Sequence, residues 1–282
     1  MICTSCGVLV GVGDGSCYNC GRRNPGLWGF APALRSLGAD LGFTPFVIGA
    51  CALMYVLTMV FSGQHANLVS GRGGMGALFG MLSPSTQALF LFGASGSLPV
   101  FGMGRWWTFL SAAWLHGGIL HIVMNMLGFR QLAPVTADLY GPGRTVIIYT
   151  AAAIVGFGMS SFAGEYLPRI PFLSGGRFTV GASAPIFGLL GALLYYGHRT
   201  GSRHMSSQVW SYVMSAAIFG IAMPGIDNWA HGGGLLGGYV TARILDPLKP
   251  ERIDHMLIAV GCLALSLLSI VASVVNGVQY FE

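Results

Sequence analysis

Charge is what this 282-residue chain has least of: Asp, Glu, Lys and Arg make up 8% of it, against 54% hydrophobic residues. Soluble domains carry about 25% charged residues. So few charges cannot cover a water-facing surface of this size, which excludes an ordinary soluble globular protein. Acidic groups are the scarcer sign, 9 against 14 basic ones. The basic residues are spread between apolar segments rather than gathered in a patch, so nucleic-acid binding is not expected and the excess reads as membrane topology. The first residues lack the long apolar run of a signal peptide. No βαβ pattern accompanies the cysteines near that end, which sets aside a thioredoxin-like redox role. The apolar segments that carry histidine hold no carboxylate apart from Asp227, at the end of one of them.

What is present is a series of apolar runs of bilayer-crossing length. They lie at about 46–61, 114–135, 146–163, 180–196, 209–223, 228–245 and 256–275. The fold class expected is an all-α polytopic membrane bundle of about seven helices, the bilayer being its solvent, with a small four-cysteine zinc ribbon at the N-terminus. The expected division is a ribbon at 1–22, a linker at 23–43, a six-helix core at 44–248, and a seventh helix with the C-terminus at 249–282. The 44 glycines show no collagen period and suit close approach of membrane helices. The Gly/Ser-rich connection at 62–104, with short apolar pieces at 75–81 and 88–92, is expected to lie in the interface or against protein. With the N-terminus inside, ten basic residues, Arg130 among them, fall in inner segments and four in outer ones. That asymmetry favours a cytoplasmic N-terminus.

The N-terminal cysteines read Cys3-x-x-Cys6, ten residues, Cys17-x-x-Cys20, with Gly7 and Gly21 after the pairs. Two such knuckles present four sulfurs in tetrahedral zinc geometry. A cytoplasmic location favours zinc over two disulfides. The expected role of the ribbon is stability or docking of a protein partner, with a structural Zn2+. Cys51 and Cys262 lie in apolar runs and read as small hydrophobes.

Ionisable groups inside a membrane mark function by default, and here they fall in three places. His121 and Asn125 are four apart, on one helical face, where two donors could bind a developing oxyanion; buried helix–helix hydrogen bonding is the plainer use. His116 sits at the start of that helix. Ser183 lies between glycines in Gly181-Ala182-Ser183-Ala184-Pro185. Most membrane-helix serines bond back to their own helix. Pro185, however, suits a first helical turn and would place Ser183 at a helix N-terminus, where negative charge is favoured. Phe187 lies one turn below it. His231, Gly234 and Gly238 share a face able to meet another helix at backbone distance. A serine and a histidine without a carboxylate would form a dyad.

These residues, in this order, resemble the rhomboid family of intramembrane serine proteases. The pieces are H-x4-H-x3-N at His116, His121 and Asn125, G-x-S at Gly181 to Ser183, and A-H-x-x-G-x-x-x-G at Ala230 to Gly238. The resemblance implies Ser183 as nucleophile and His231 as general base. It implies His121, Asn125 and the Ser183 N–H as oxyanion donors, His116 as a supporting residue and Phe187 as an aromatic packed on the base. It implies no cofactor for catalysis, and substrates that are single-span membrane proteins with helix-destabilising residues near the cut. A bacterial inner membrane is the expected location. Three departures stand out. Ala184 replaces the usual glycine and is expected to narrow the oxyanion pocket. Trp107-Thr108 stands where Trp-Arg is usual, with Arg105 displaced. The cysteine knuckles lie outside the family core. The alternative is an inactive rhomboid-like protein that binds or escorts membrane clients; a transporter is disfavoured because no inverted repeat of broken helices is apparent.

Overall fold

The computed structural model describes residues 2–3, 5–11, 14–23, 25, 38–67, 80–168, 174–223 and 225–280. Most of the expected 23–43 linker and of the 75–81 apolar piece lies outside them. The architecture is all-helical; among the described residues extended pairing is limited to isolated bridges.

The first long helix, α1, runs Phe43–Ser62. Asp40 starts it by accepting from the Gly42 and Thr44 N–H groups at 3.1 and 2.7 Å. A short α2, Thr86–Phe92, is capped by Ser85. A single turn, α3 at Thr108–Ser111, and the 3-10 turn after it meet α4 (Ile119–Tyr140) at a 94° bend. Then follow α5 (Pro142–Tyr166), α6 (Ser183–Thr200), α7 (Arg203–Ala222), α8 (Asn228–Leu245) and α9 (Ile253–Val278). Arg130, counted with the inner segments, lies within a helix. Helix α4 continues to Tyr140, and Arg130 is exposed on it.

Three helices are each long and apolar enough to cross a membrane by composition: α1 with its trailing turn, α5 and α9. The bent α3–α4 pair would be a fourth. Helices α6, α7 and α8 fall below that measure; α6 is buried along most of its length, whereas α8 exposes Leu236, Val240 and Ile244 on one side. The apolar helices α1, α5 and α9 define a multi-pass membrane protein.

Helix α8 is the centre of the bundle, between α5 and α6. Its glycine doublets explain how. Gly234 and Gly238 lie against the backbone of Ala184 and Gly188 in α6, while Gly233 and Gly237 lie against Gly156 and Val155 of α5. One glycine of each doublet therefore serves each neighbour: α8 meets α6 backbone to backbone, while on α5 Gly237 meets the Val155 side chain and Gly233 comes near Met159. Helix α7 packs mainly on α6 and presents most of its surface outward.

The end of the bundle opposite Ser183 is closed by polar contacts. Tyr140 donates its O–H to the Ala192 carbonyl at 2.9 Å. The Arg144 guanidinium donates to the carbonyls of Leu245, Asp246 and Lys249, satisfying the end of α8. At the other end, Arg105 is fully buried. It donates to the Phe90 carbonyl at 3.0 Å and to the Ser273 carbonyl of α9 at 2.8 Å, and stacks over the Phe90 ring. Trp107 Nε1 donates to Ser273 Oγ at 3.1 Å. The displaced arginine thus fastens the first long connection to the last helix.

Candidate functional site

The chain reaches α6 through Gly181, whose φ of 137° is open to glycine. A methyl group there would stand 2.7 Å from His121 Nε2. The Gly181 N–H bonds to the Ala112 carbonyl at 2.9 Å. Helix α6 then begins at Ser183 itself, with Pro185 in its first turn, where no N–H is needed. The Ser183 hydroxyl makes no hydrogen bond among the described residues and lines a cavity of about 910 Å³.

The same cavity is lined by His121, Asn125, Phe187 and His231. The His231 ring lies flat on Phe187, with centroids 4.3 Å apart and planes at 10°. Its Nδ1 is buried without a hydrogen-bond partner; no carboxylate holds it. His121 Nδ1 accepts from the Gly117 N–H at 3.3 Å. A nitrogen that accepts is unprotonated, so the proton of the neutral ring sits on Nε2, on the side of Gly181. Asn125 Nδ2 donates one hydrogen to the His121 carbonyl at 2.8 Å, leaving the other free. His116 is fully buried, edge-on to His121, and its Nε2 accepts from the Ala182 N–H at 3.5 Å. It therefore braces the turn before Ser183.

Ala184 does not narrow this cavity. It is fully buried and its methyl points at Gly156 of α5, away from the lining. The glycine that accommodates it is on another helix.

Two features were not read from the sequence. Residues 176–179 pair with 95–98: Ser95 and Thr179 exchange both backbone bonds at 3.0 and 2.8 Å, and Ser97 N–H bonds to the Gly176 carbonyl at 2.9 Å. The resulting strap forms one wall of the cavity. Asp227 is the second feature: it caps α8 and meets Ser160 of α5. The spacing Asp-x-x-Ala before an apolar helix was a capping signal.

Apart from this cavity, the four N-terminal sulfurs lie within 4.8 Å of one another. Cys3 and Cys20 are 3.8 Å apart, Cys6 and Cys17 3.6 Å. A tetrahedron with metal–sulfur bonds of about 2.3 Å has edges of about 3.8 Å, so the donors fit a single zinc ion; all four cysteines are free of disulfides. The two knuckles repeat one hydrogen-bond pattern. Gly7 N–H bonds to Cys3 O and Gly21 N–H to Cys17 O, both at 2.9 Å; Cys3 N–H bonds to Val8 O and Cys17 N–H to Arg22 O, both at 2.8 Å. The Val8 N–H and then the Asn19 side chain lower the Cys6 thiol to about 6, whereas the Cys20 thiol is raised to about 11.

Fold and cavity together define a polytopic helical membrane protein with a largely apolar pocket, lined from α4, α6, α7 and α8, into which a few polar groups converge. Residues 103–247, just over half of the chain, match the family model of the Rhomboid domain. The chain belongs to the rhomboid family. It is 33% identical over 180 residues to the rhomboid protease GluP of Bacillus subtilis, a stretch covering 63% of this chain and 33% of that one. It is 31% identical over 169 residues to RHOMBOID-like protein 4 of Arabidopsis thaliana, covering 58% and 40%. It is 32% identical over 169 residues to the mitochondrial RHOMBOID-like protein 6 of that plant, covering 58% and 52%. The chain thus spans between a third and about half of the length of these relatives.

Proposed function

We propose that this chain is an intramembrane serine endopeptidase that cleaves transmembrane protein substrates with Ser183 and His231 as a dyad. The observation that carries the reading is the free Ser183 hydroxyl, at a helix N-terminus, sharing a cavity with a ring-stacked histidine in a chain of the rhomboid family. Ser183 Oγ attacks the scissile carbonyl and His231 takes its proton. The oxyanion is held by His121 Nε2–H, the free Asn125 N–H and the Ser183 backbone N–H at the positive end of α6. His231 returns the proton to the leaving amine; water then hydrolyses the acyl ester by the same path. Phe187 fixes the plane of the imidazole where other serine proteases use a carboxylate. His116 supports the nucleophile's turn and does no chemistry.

The N-terminal knuckles hold one structural zinc, by the sulfur spacing above. The ribbon and the N-terminus face the cytoplasm, by the distribution of basic residues, in what we infer is a bacterial inner membrane. A protein partner of the ribbon fits its position outside the family core.

The test is covalent labelling by a fluorophosphonate, together with cleavage of a single-span reporter in proteoliposomes, for wild type, Ser183→Ala and His231→Ala. Loss of both activities in the two variants, with insertion and melting unchanged, is expected. Full cleavage by Ser183→Ala overturns the assignment; unlabelled and inactive wild type supports a client-binding relative instead.

A further inference from the structure

The Ser183 and His231 segments reach the cavity from different parts of the chain, so something must fix their spacing. Below the site the α6–α8 glycine seam does this. At the site's open end the segments diverge: the strap leads from Gly176 to Ser183, and α8 starts three residues before His231. One polar chain joins them there. Asp227 Oδ1 accepts from the Ala230 N–H at 3.0 Å, and the Asp227 carbonyl accepts from the His231 N–H at 3.1 Å. Asp227 Oδ2 accepts from the hydroxyl of Ser160, which is fully buried in α5. Ser160 Oγ in turn accepts from the Gly176 N–H at 2.8 Å. No side chain fits at Gly176, where an added methyl would stand 2.7 Å from Asp227 Oδ2.

A helix cap alone would use one oxygen, and Ser, Thr or Asn would serve equally. Here the second oxygen reaches a different helix. Most mid-helix hydroxyls bond back to a carbonyl of their own helix; Ser160 instead turns outward and uses both its donor and its acceptor on the chain. The imidazole is not part of this arrangement, since His231 Nδ1 has no partner.

We propose that Asp227 is a positioning residue, acting through Ser160 and the Gly176 N–H to hold the serine-bearing strap and the histidine-bearing helix at a fixed distance. This inference rests on the dyad reading for its catalytic consequence but not for its mechanical one. Without the latch the strap and the start of α8 move independently. The spacing between nucleophile and base then varies by about an ångström, which costs about 100-fold in rate.

The experiment compares full-length wild type with Asp227→Ala, Asp227→Asn and Ser160→Ala in proteoliposomes. It measures kcat, KM and hydrogen exchange of the peptides covering 174–183 and 226–232. Expected for Asp227→Ala is a fall in kcat of about 100-fold, and for Ser160→Ala, which keeps the helix cap, about tenfold, both with little change in KM. The double variant should be no worse than Asp227→Ala, because the two residues act as one unit. Asp227→Asn can still cap through Oδ1 and can reach Ser160 only by reversing the bond, its Nδ2–H donating to Ser160 Oγ while the hydroxyl hydrogen turns back to its own helix; it should recover most of kcat. Exchange in both segments should rise together in Ser160→Ala.

Values of kcat within threefold of wild type in Asp227→Ala and Ser160→Ala overturn the proposal. So does an Asp227→Asn variant as impaired as Asp227→Ala, which would assign a direct role to the charge. If Asp227→Ala does not fold, Ser160→Ala decides alone. If wild type proves inactive, the protease reading fails while exchange in Ser160→Ala still judges the latch: unchanged exchange refutes it.

Discussion

Replacing Gly238 with alanine would test the contact that brings α8 to α6. An added methyl would run into the backbone of Gly188, its carbonyl oxygen nearest. A backbone carbonyl cannot rotate away as a side chain can. To restore ordinary contact the two helices must part by about 1 Å, or the peptide must distort. Overpacking of this kind costs about 1–3 kcal/mol, and alanine returns at most about 1 kcal/mol through helix propensity. With the full return the net loss is about 0–2 kcal/mol, up to roughly a 30-fold drop in the folding equilibrium. Because the seam lies beneath the cavity that Ser183 and His231 share, the proposed dyad predicts that a shift of that size also slows labelling of Ser183 by about 100-fold. Gly232→Ala is the control. It is in the same helix, next to His231, yet nothing lies within 4 Å of its added methyl. Reversible unfolding in mixed micelles gives the stability and fluorophosphonate labelling gives the rate. If Gly238→Ala and Gly232→Ala behave alike in both, the backbone-contact account of the site is wrong.

Gly181→Ala should lower kcat about 100-fold, since both its φ of 137° and the nearby His121 Nε2 exclude a methyl; wild-type kinetics would refute the placement of His121. Arg105→Met keeps the bulk but loses both carbonyl bonds that join the first connection to α9. Proteolysis of the segment around 90–105 should accelerate at least tenfold, and an unchanged digestion pattern would count against the strut. Cys17→Ser with Cys20→Ser should remove bound zinc as measured by elemental analysis, from about one ion per chain to about none. Full zinc retention would place the metal elsewhere.

Much of this arrangement is legible from period and composition. The seven apolar runs each fall largely on a helix; those in α1, α5 and α9 are long and apolar enough to cross a bilayer, where a helix is the way for the backbone to satisfy itself. The i, i+3, i+7 spacing of His231, Gly234 and Gly238 names a contact face, and Gly234 and Gly238 do lie on α6. The second face of α8 was hidden: Gly233 and Gly237 differ from their neighbours by one position, and only the arrangement of three helices shows which doublet member meets which partner. Ala184 was misjudged for a related reason. A local pattern places a methyl next to the serine but says nothing of Gly156, which meets it from α5 and lies 28 positions away in sequence. The strap and the Ser160–Asp227 bond are long-range pairings of single residues, which leave no period to read.

The plain expectation for a membrane-helix serine is that it bonds back to its own helix, and the structure shows why Ser183 escapes it. Thr58, Ser62, Thr136, Thr145 and Thr150 all donate to carbonyls three or four residues earlier. Ser183 is the first residue of α6, so the carbonyl four positions back belongs to Thr179, in the strap, where it already accepts from the Ser95 N–H. One bond does not exhaust a carbonyl, but residue 179 is held in the strap and 179–182 are not helical, so this carbonyl is not turned along a helix axis towards the hydroxyl. A buried hydroxyl without a partner costs about 1–3 kcal/mol. Ser183 is only half-buried and opens onto the cavity, which reduces that cost without fixing the hydrogen. The same position gives Ser183 the unsatisfied N–H groups and positive field of a helix start. One placement thus withholds the acceptor that would quiet the hydroxyl and supplies the field that stabilises negative charge beside it.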